Sequence, residues 1–205
     1  MLPKKHIVDR YFSKLEQIGV FNDKLGLDYF IKKSYLNHFD VSKKYIAWCI
    51  GASYQNKKLS HQQITYVCNK LDIPIVLLGD NNDSDLANLI LSNTDNDNVS
   101  SFCGDLSINE SSYLIKNSSL VLTNDTGLMH ISAAFNKKII SFWGCTKPIL
   151  GFSPLVSDKY SIKITSNNNR PCSKHGKTCR ITKNGCIKSI DPEIILRNTQ
   201  KLLAK

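Results

Sequence analysis

Short apolar runs alternate along the chain with segments of helical spacing. KYIAWCIG (44–51), IPIVLLGD (73–80), VSSFCG (99–104), SLVLTND (119–125) and KIISFWG (138–144) are short, rich in Ile and Val, and end in Gly or Asp, which predicts strands. Between them, SHQQITYVCNKL (60–71), DSDLANLILS (83–92), INESSYLIKNSS (108–119) and GLMHISAAFN (127–136) show the 3.6-residue period of helices, several with Ser, Asp or Asn at the N-cap. This order predicts an α/β fold: a Rossmann-like, doubly wound parallel sheet covered by helices on both faces. Residues 1–40 stand outside the repeat, with a helical stretch HIVDRYFSKLEQIGV and a connection FNDKLGLDYFI. The last fifteen residues, 191–205, predict a closing helix with Asp191 at the N-cap and Pro192 at N1.

A length of 205 residues suits one domain with an extension, residues 41–190 forming the domain proper. The apolar fraction of 41 % and charged fraction of 21 % are those of a soluble globular protein. No apolar stretch approaches the roughly 20 residues that a membrane-spanning helix requires. The start, MLPKKHIVDRYF, lacks the apolar core of a signal peptide, so the expected location is cytoplasmic. Seven cysteines, an odd number, fit a reducing compartment; Cys49, Cys68, Cys103 and Cys145 lie in or beside apolar runs, where a thiol behaves as a small hydrophobe.

The net charge of +10 is unevenly placed. Asn81 to Glu110 holds six acids and no Lys or Arg, whereas from Val156 onward eleven basic residues, Lys205 among them, face three acids. Such a segment suits an anionic membrane surface, a phosphorylated substrate or nucleic acid, and a solvated face explains it equally well. Nucleic acid is not the expected partner, because neither aromatic–basic interleaving nor a recognised module accompanies the charge.

In a doubly wound sheet, ligands bind at the carboxyl ends of the strands. Four loops open on that edge: GASYQNKKLS (51–60), GDNNDSD (79–85), GDLS (104–107) and NDTG (124–127). In the last, Gly127 admits close backbone approach, and the N–H groups after it form an anion site. Thr126 adds a hydroxyl, and His130 lies one turn into the helix. Asp125 would repel phosphate and is better suited to sugar hydroxyls. The plainer alternative is an N-capped helix with a structural histidine. Lys57 and Lys58 offer point charges for a diphosphate, and Asp83 offers a carboxylate to a ribose diol or a cap to the next helix. GxxxxGK[ST] and GxGxxG are both missing, against a P-loop ATPase or an ordinary NAD domain. The acids of DSD (83–85) lack a third ligand. Cys172, His175, Cys179 and Cys186 place four soft ligands within fifteen residues, a set that zinc accepts. They lack a paired CxxC, and a surface loop can bury thiols without metal, so neither metal nor cofactor is expected.

Together these stretches resemble the C-terminal half of glycosyltransferase family 9, the lipopolysaccharide heptosyltransferases. LTNDTGLMHISAAFNKKIISFWGCTKPILGFSP is similar to that family's Asp-[Ser/Thr]-Gly-x-x-His core and its Phe-Gly-x-Thr-x-Pro loop, with Trp143 inserted. GASYQNKKLS resembles the family's Gly-Ala-Ser…Lys-Arg-Trp-Pro loop at Gly51, Ala52, Ser53 and Lys57, but Leu59 and Ser60 replace Trp-Pro. LLGDNND is similar to Leu-Gly-x-x-x-Glu, with Asp83 as a shorter acid, and RPCSKHGKTC…GCIKSIDPEII looks like a Cys-bearing loop and closing helix of some members.

The resemblance covers residues 44–205 and implies a GT-B enzyme whose second domain holds a nucleotide-activated sugar, typically ADP-heptose, for inverting transfer to a lipid-linked or oligosaccharide acceptor. Carried onto this sequence, the donor-binding set is Ser53, Lys57, Asp83, Gly104, Leu106, Asp125, Thr126, Gly127, Leu128 and His130. Lys57 and the Thr126–Leu128 amides would stabilise the departing diphosphate, Asp83 the ribose and Asp125 the sugar, without metal. The general base is expected in an N-terminal domain of which residues 1–40 look like the end and the interdomain crossover. The implied location is cytoplasmic, peripheral at the inner face of the bacterial inner membrane.

Overall fold

A computed structural model describes residues 5–31, 39–168 and 170–204; parts of the predicted crossover and Lys205 lie outside them. Six strands form one all-parallel sheet: β1 (Ile46–Cys49), β2 (Ile75–Leu78), β3 (Val99–Ser101), β4 (Leu120–Asn124), β5 (Ile139–Trp143) and β6 (Ser161–Thr165). Their spatial order is β3-β2-β1-β4-β5-β6, so the winding reverses between β1 and β4. The helices are α1 (Ile7–Leu15), α2 (His61–Cys68), α3 (Ser84–Asn93), α4 (Ile108–Asn117), α5 (Gly127–Ala134) and α6 (Pro192–Leu203).

The continuous apolar character of β1, β2, β4 and β5 follows from burial on both faces. With a side-chain period of two, Ile46, Trp48 and Ile50 enter the core under α2, α3 and α6, while Tyr45, Ala47 and Cys49 enter the one under α4 and α5. Helix starts are fixed by reciprocal capping: Ser60 with Gln63 opens α2, and Ser107 with Glu110 opens α4. Asp191 accepts from the Glu193 N–H at 2.9 Å, as its predicted N-cap position requires.

Two predicted boundaries shift. β3 stops at Ser101, because the chain turns through Gly104 in the left-handed region (φ 87°), and α3 is preceded by a 3-10 turn at Asn81–Asp83. β6 was not anticipated; its SIKIT sequence holds only two apolar residues, and pairing with β5 at the sheet edge makes it a strand. The N-terminal helix forms where its periodicity predicts. It buries none of its residues, and its first turn docks, Ile7 N–H donating to Gly151 O at 2.8 Å and Arg10 to Leu150 O at 3.0 Å. Among the described residues, no helix is long and apolar enough to cross a membrane.

At the end of β5, Gly144 abuts the 3-10 turn Cys186–Ser189: a Cβ there would fall 2.5 Å from Ile187 Cβ and 2.7 Å from its backbone nitrogen. Gly144→Ala should therefore lower unfolding stability by about 1–3 kcal/mol, read from urea denaturation, since backbone on both sides must move to admit the methyl group.

Candidate functional site

The reversal between β1 and β4 sends their following loops apart and leaves a crevice at the carboxyl edge. Buried Asn124, the last residue of β4, stitches the two strand ends: its side-chain amide donates to Ile50 O at 2.7 Å. On one side of the crevice lies a cavity of about 330 Å³ walled by Ser53, Asp83, Leu106, Ile108 and Thr126–Leu128. A second, also of about 330 Å³, is lined by Ser53, Lys57, Asp125, His130, Lys174 and His175. Ser53 belongs to both, so the two form one cleft. Nine of the ten expected residues line it.

Gly104 is the exception: it lines neither cavity. Its left-handed turn packs against Ser84 Oγ and Asn81, which leaves it a structural role.

Two buried ion pairs shape the floor. Lys57 Nζ lies 2.7 Å from Asp125 Oδ2, with both side chains about nine-tenths buried. The same oxygen accepts from Thr146 Oγ1 at 2.8 Å. Lys57, expected as a point charge for a diphosphate, is thus already held against the acid expected to meet the sugar. Lys58 turns instead to Asp83, and both are buried. Asp83 Oδ2 also accepts from the Asp80 N–H at 3.0 Å, in a reciprocal cap of the turn before α3. A side chain at Gly51 or Gly79 would overlap Asp83, so those glycines exist to admit a carboxylate at the strand ends. Both oxygens of Asp83 are engaged; although it stands at the N-cap of α3, its side chain makes no cap bond to that helix.

Thr126 is the N-cap of α5 but makes no side-chain cap bond, and a Cβ on Gly127 would meet nothing within 4 Å. The protein itself does not need glycine there; the space belongs to the cleft. His130 is half-buried, and burial first of all pushes its imidazole below the ordinary value, with nearby His6 and Lys57 adding to the effect and Asp125 opposing it. The ring is therefore neutral near pH 7.

Lys174 and His175 line the second cavity, and buried Thr146 holds Asp125, without the sequence pattern marking any of the three for the cleft. Thr146 lies inside the quoted Phe-Trp-Gly-Cys-Thr-Lys-Pro loop, which was the available signal. His175 was grouped with Cys172, Cys179 and Cys186, yet it lines the second cavity, and the fourth sulfur beside those three is Cys145, expected only as a buried hydrophobe.

A six-stranded parallel sheet with a polar cleft at its switch point defines a Rossmann-like ligand-binding domain. The family model for glycosyltransferase family 9 (heptosyltransferase) matches residues 2–183, and the chain belongs to that family. It is 36 % identical over 103 residues to the lipooligosaccharide heptosyltransferase 2 of Haemophilus influenzae, a match covering 50 % of this chain and 29 % of that protein. The structure of the family 9 glycosyltransferase from Veillonella parvula superposes with a TM-score of 0.83 at 18 % identity, over 98 % of this chain and 61 % of that one. For the E. coli heptosyltransferase WaaC with ADP the TM-score is 0.68 at 14 % identity, over 98 % and 57 %. The fold is thus that of a GT-B glycosyltransferase half, as the sequence led one to expect, and the chain spans less than two thirds of the relatives it matches.

Lys58→Met should cost about 3–5 kcal/mol in urea denaturation, because it strands the Asp83 charge out of water. Adding Asp83→Asn, which removes that charge, should recover part of the loss. Unfolding His130 restores its ordinary titration, so the native state takes up fewer protons than the unfolded chain as pH falls below about 6.5. Stability should decline across that range, and His130→Asn should flatten the decline in thermal melts taken from neutral to acid pH.

Proposed function

We propose that this chain is the donor-binding half of a glycosyltransferase that moves a sugar, of the heptose class, from a nucleoside diphosphate to a glycan acceptor. The observation that carries this reading is the empty space in front of Gly127, at the N-terminus of an eight-residue helix, between an apolar-walled cavity and a charged one. The first cavity suits a nucleoside, with Leu106, Ile108 and Leu128 against the base. The α5 amides and helix dipole suit the diphosphate. The second cavity suits the sugar: Asp125 Oδ1 makes no hydrogen bond among the described residues and is free to accept from sugar hydroxyls. Lys57, Lys174 and neutral His130 line the same space, where negative charge grows as the sugar–phosphate bond breaks.

A general base must lie within hydrogen-bond reach of the acceptor hydroxyl. Asp83 and Asp125 are each tied to a lysine, so we assign base and acceptor site to an N-terminal domain of the longer relatives' kind. Tyr11, Ile18, Phe21, Leu25 and Phe30 form an exposed apolar stretch that suits such a domain, and the basic residues beyond Val156 suit an anionic membrane face. Location at the inner face of the inner membrane belongs to the same proposal. No cofactor is assigned to the transfer.

Calorimetric titration with ADP-, UDP- and GDP-sugars tests the reading. Saturable binding of one class is expected, without turnover by this chain alone, and at least about tenfold weaker binding in Lys57→Ala and Asp125→Ala. Gly127→Ala should keep or raise the melting temperature, by up to about 1 kcal/mol in stability, yet lose donor binding. Unchanged binding in all three variants would overturn the assignment.

A further inference from the structure

Cys145, just beyond the end of β5, meets three cysteines from a later loop, Cys172, Cys179 and Cys186. The Sγ atoms of Cys145, Cys172, Cys179 and Cys186 all lie within 4.8 Å of one another. Cys145–Cys186, Cys172–Cys179 and Cys172–Cys186 are separated by 3.6, 3.8 and 4.0 Å. None of these is a disulfide, whose sulfurs would sit at about 2.05 Å. A tetrahedral ion with metal–sulfur bonds of about 2.3 Å places its sulfurs about 3.8 Å apart, close to these three separations. A polynuclear iron–sulfur cluster would hold its thiolates further apart, to make room for inorganic sulfide.

Two of the sulfurs meet N–H donors. The Thr182 backbone N–H donates to Cys179 Sγ at 3.4 Å, and the Asn168 side-chain amide to Cys172 Sγ at 3.8 Å. Such donors commonly support metal-bound ligands from the outer side. Lys147, two residues beyond Cys145, is only 5 % exposed; its ammonium donates to Ser166 O and Oγ at 2.8 and 2.9 Å, and no carboxylate pairs with it among the described residues. Four thiolates around a divalent ion carry a net charge of −2, and a buried cation beside them offsets part of it.

We propose that Cys145, Cys172, Cys179 and Cys186 hold a single thiophilic divalent ion, zinc or iron(II), in a closed structural site. Four thiol protons leave as the ion enters. No redox step is involved, and the site stands independently of the donor reading. Its mechanical effect bears on the cleft. The ion ties the end of β5, where Thr146 meets Asp125, to the loop that carries Gly176 and Lys177. Gly176 lies against the Lys57 stem, where a Cβ would come within 2.6 Å of Cγ, and Asn56 donates to Lys177 O at 2.9 Å. The metal knuckle therefore backs the seat of Lys57.

Native and denaturing mass spectrometry of the full chain, purified anaerobically without chelator, should show about one ion per chain, with elemental analysis identifying zinc or iron. Cobalt(II) reconstitution should give the intense visible bands of a tetrahedral tetrathiolate. Cys172→Ser and Cys186→Ser should lose the ion, His175→Ala should keep it, and chelation should lower the melting temperature of the parent. The cobalt spectrum is read on the parent, so a variant that fails to fold does not obscure the result. The proposal is overturned if the parent binds no ion after reconstitution, if cobalt shows a nitrogen- or oxygen-ligated spectrum, or if His175→Ala loses the ion.

Discussion

The reversal of winding between β1 and β4 is the constraint on which the rest of the molecule depends. Adjacent parallel strands whose crossovers run to opposite sides cannot cover the edge between them, so a crevice opens there. Its two lips are held at fixed separation by the Asn124 amide, which reaches the carbonyl at the end of β1. Backbone amides at the start of α5 then point into a space that the protein leaves unfilled, since even a methyl group on Gly127 would touch nothing. A rigid sheet places the site, and short loops furnish it.

Electrostatics in the cleft are arranged before any ligand arrives. Lys57 closes a 3-10 turn and Lys58 is extended, and the two neighbours go to different acids, Asp125 and Asp83. Each pair removes charges from water, and each is compensated by further hydrogen bonds: Thr146 to Asp125, and the Asp80 amide to Asp83. Both acids are thus fixed in place by the fold itself. The pairing also means that Lys57 meets an anion only in competition with Asp125. The Asp83 pair lies deeper and serves chiefly to shape the floor between the two glycine-ended strands.

The region beyond β5 is secured differently. Between β6 and α6, residues 166–190 run through several turns with only three large apolar residues, Ile181, Ile187 and Ile190, so a hydrophobic core alone gives this segment little support. Gln63 of α2 grips it through the Ile187 and Ile190 carbonyls, and its three cysteines converge with Cys145. The loop that carries His175 and Gly176 to the cleft is thus anchored at both ends.

Five strands, the helices between them, the capped closing helix and the family itself were legible in the sequence, because each rests on local periodicity, on end-capping or on motifs read in order. Nine of the ten expected residues line the cleft for the same reason: strand ends of a parallel sheet share one edge, so naming the loops names the edge at which they meet. Gly104 stands apart from the cavities because its left-handed turn packs it against Ser84 and Asn81, and a left-handed turn and a ligand contact both select glycine. β6 was invisible because edge pairing, not composition, makes SIKIT a strand. Which acid each lysine meets, and that Cys145 rather than His175 joins Cys172, Cys179 and Cys186, are contacts between residues from twenty-five to sixty-eight positions apart, fixed only when the sheet brings distant loops together. Local physical chemistry along the chain decided the elements and their edge; the partners of its charges and thiols were decided by packing in three dimensions.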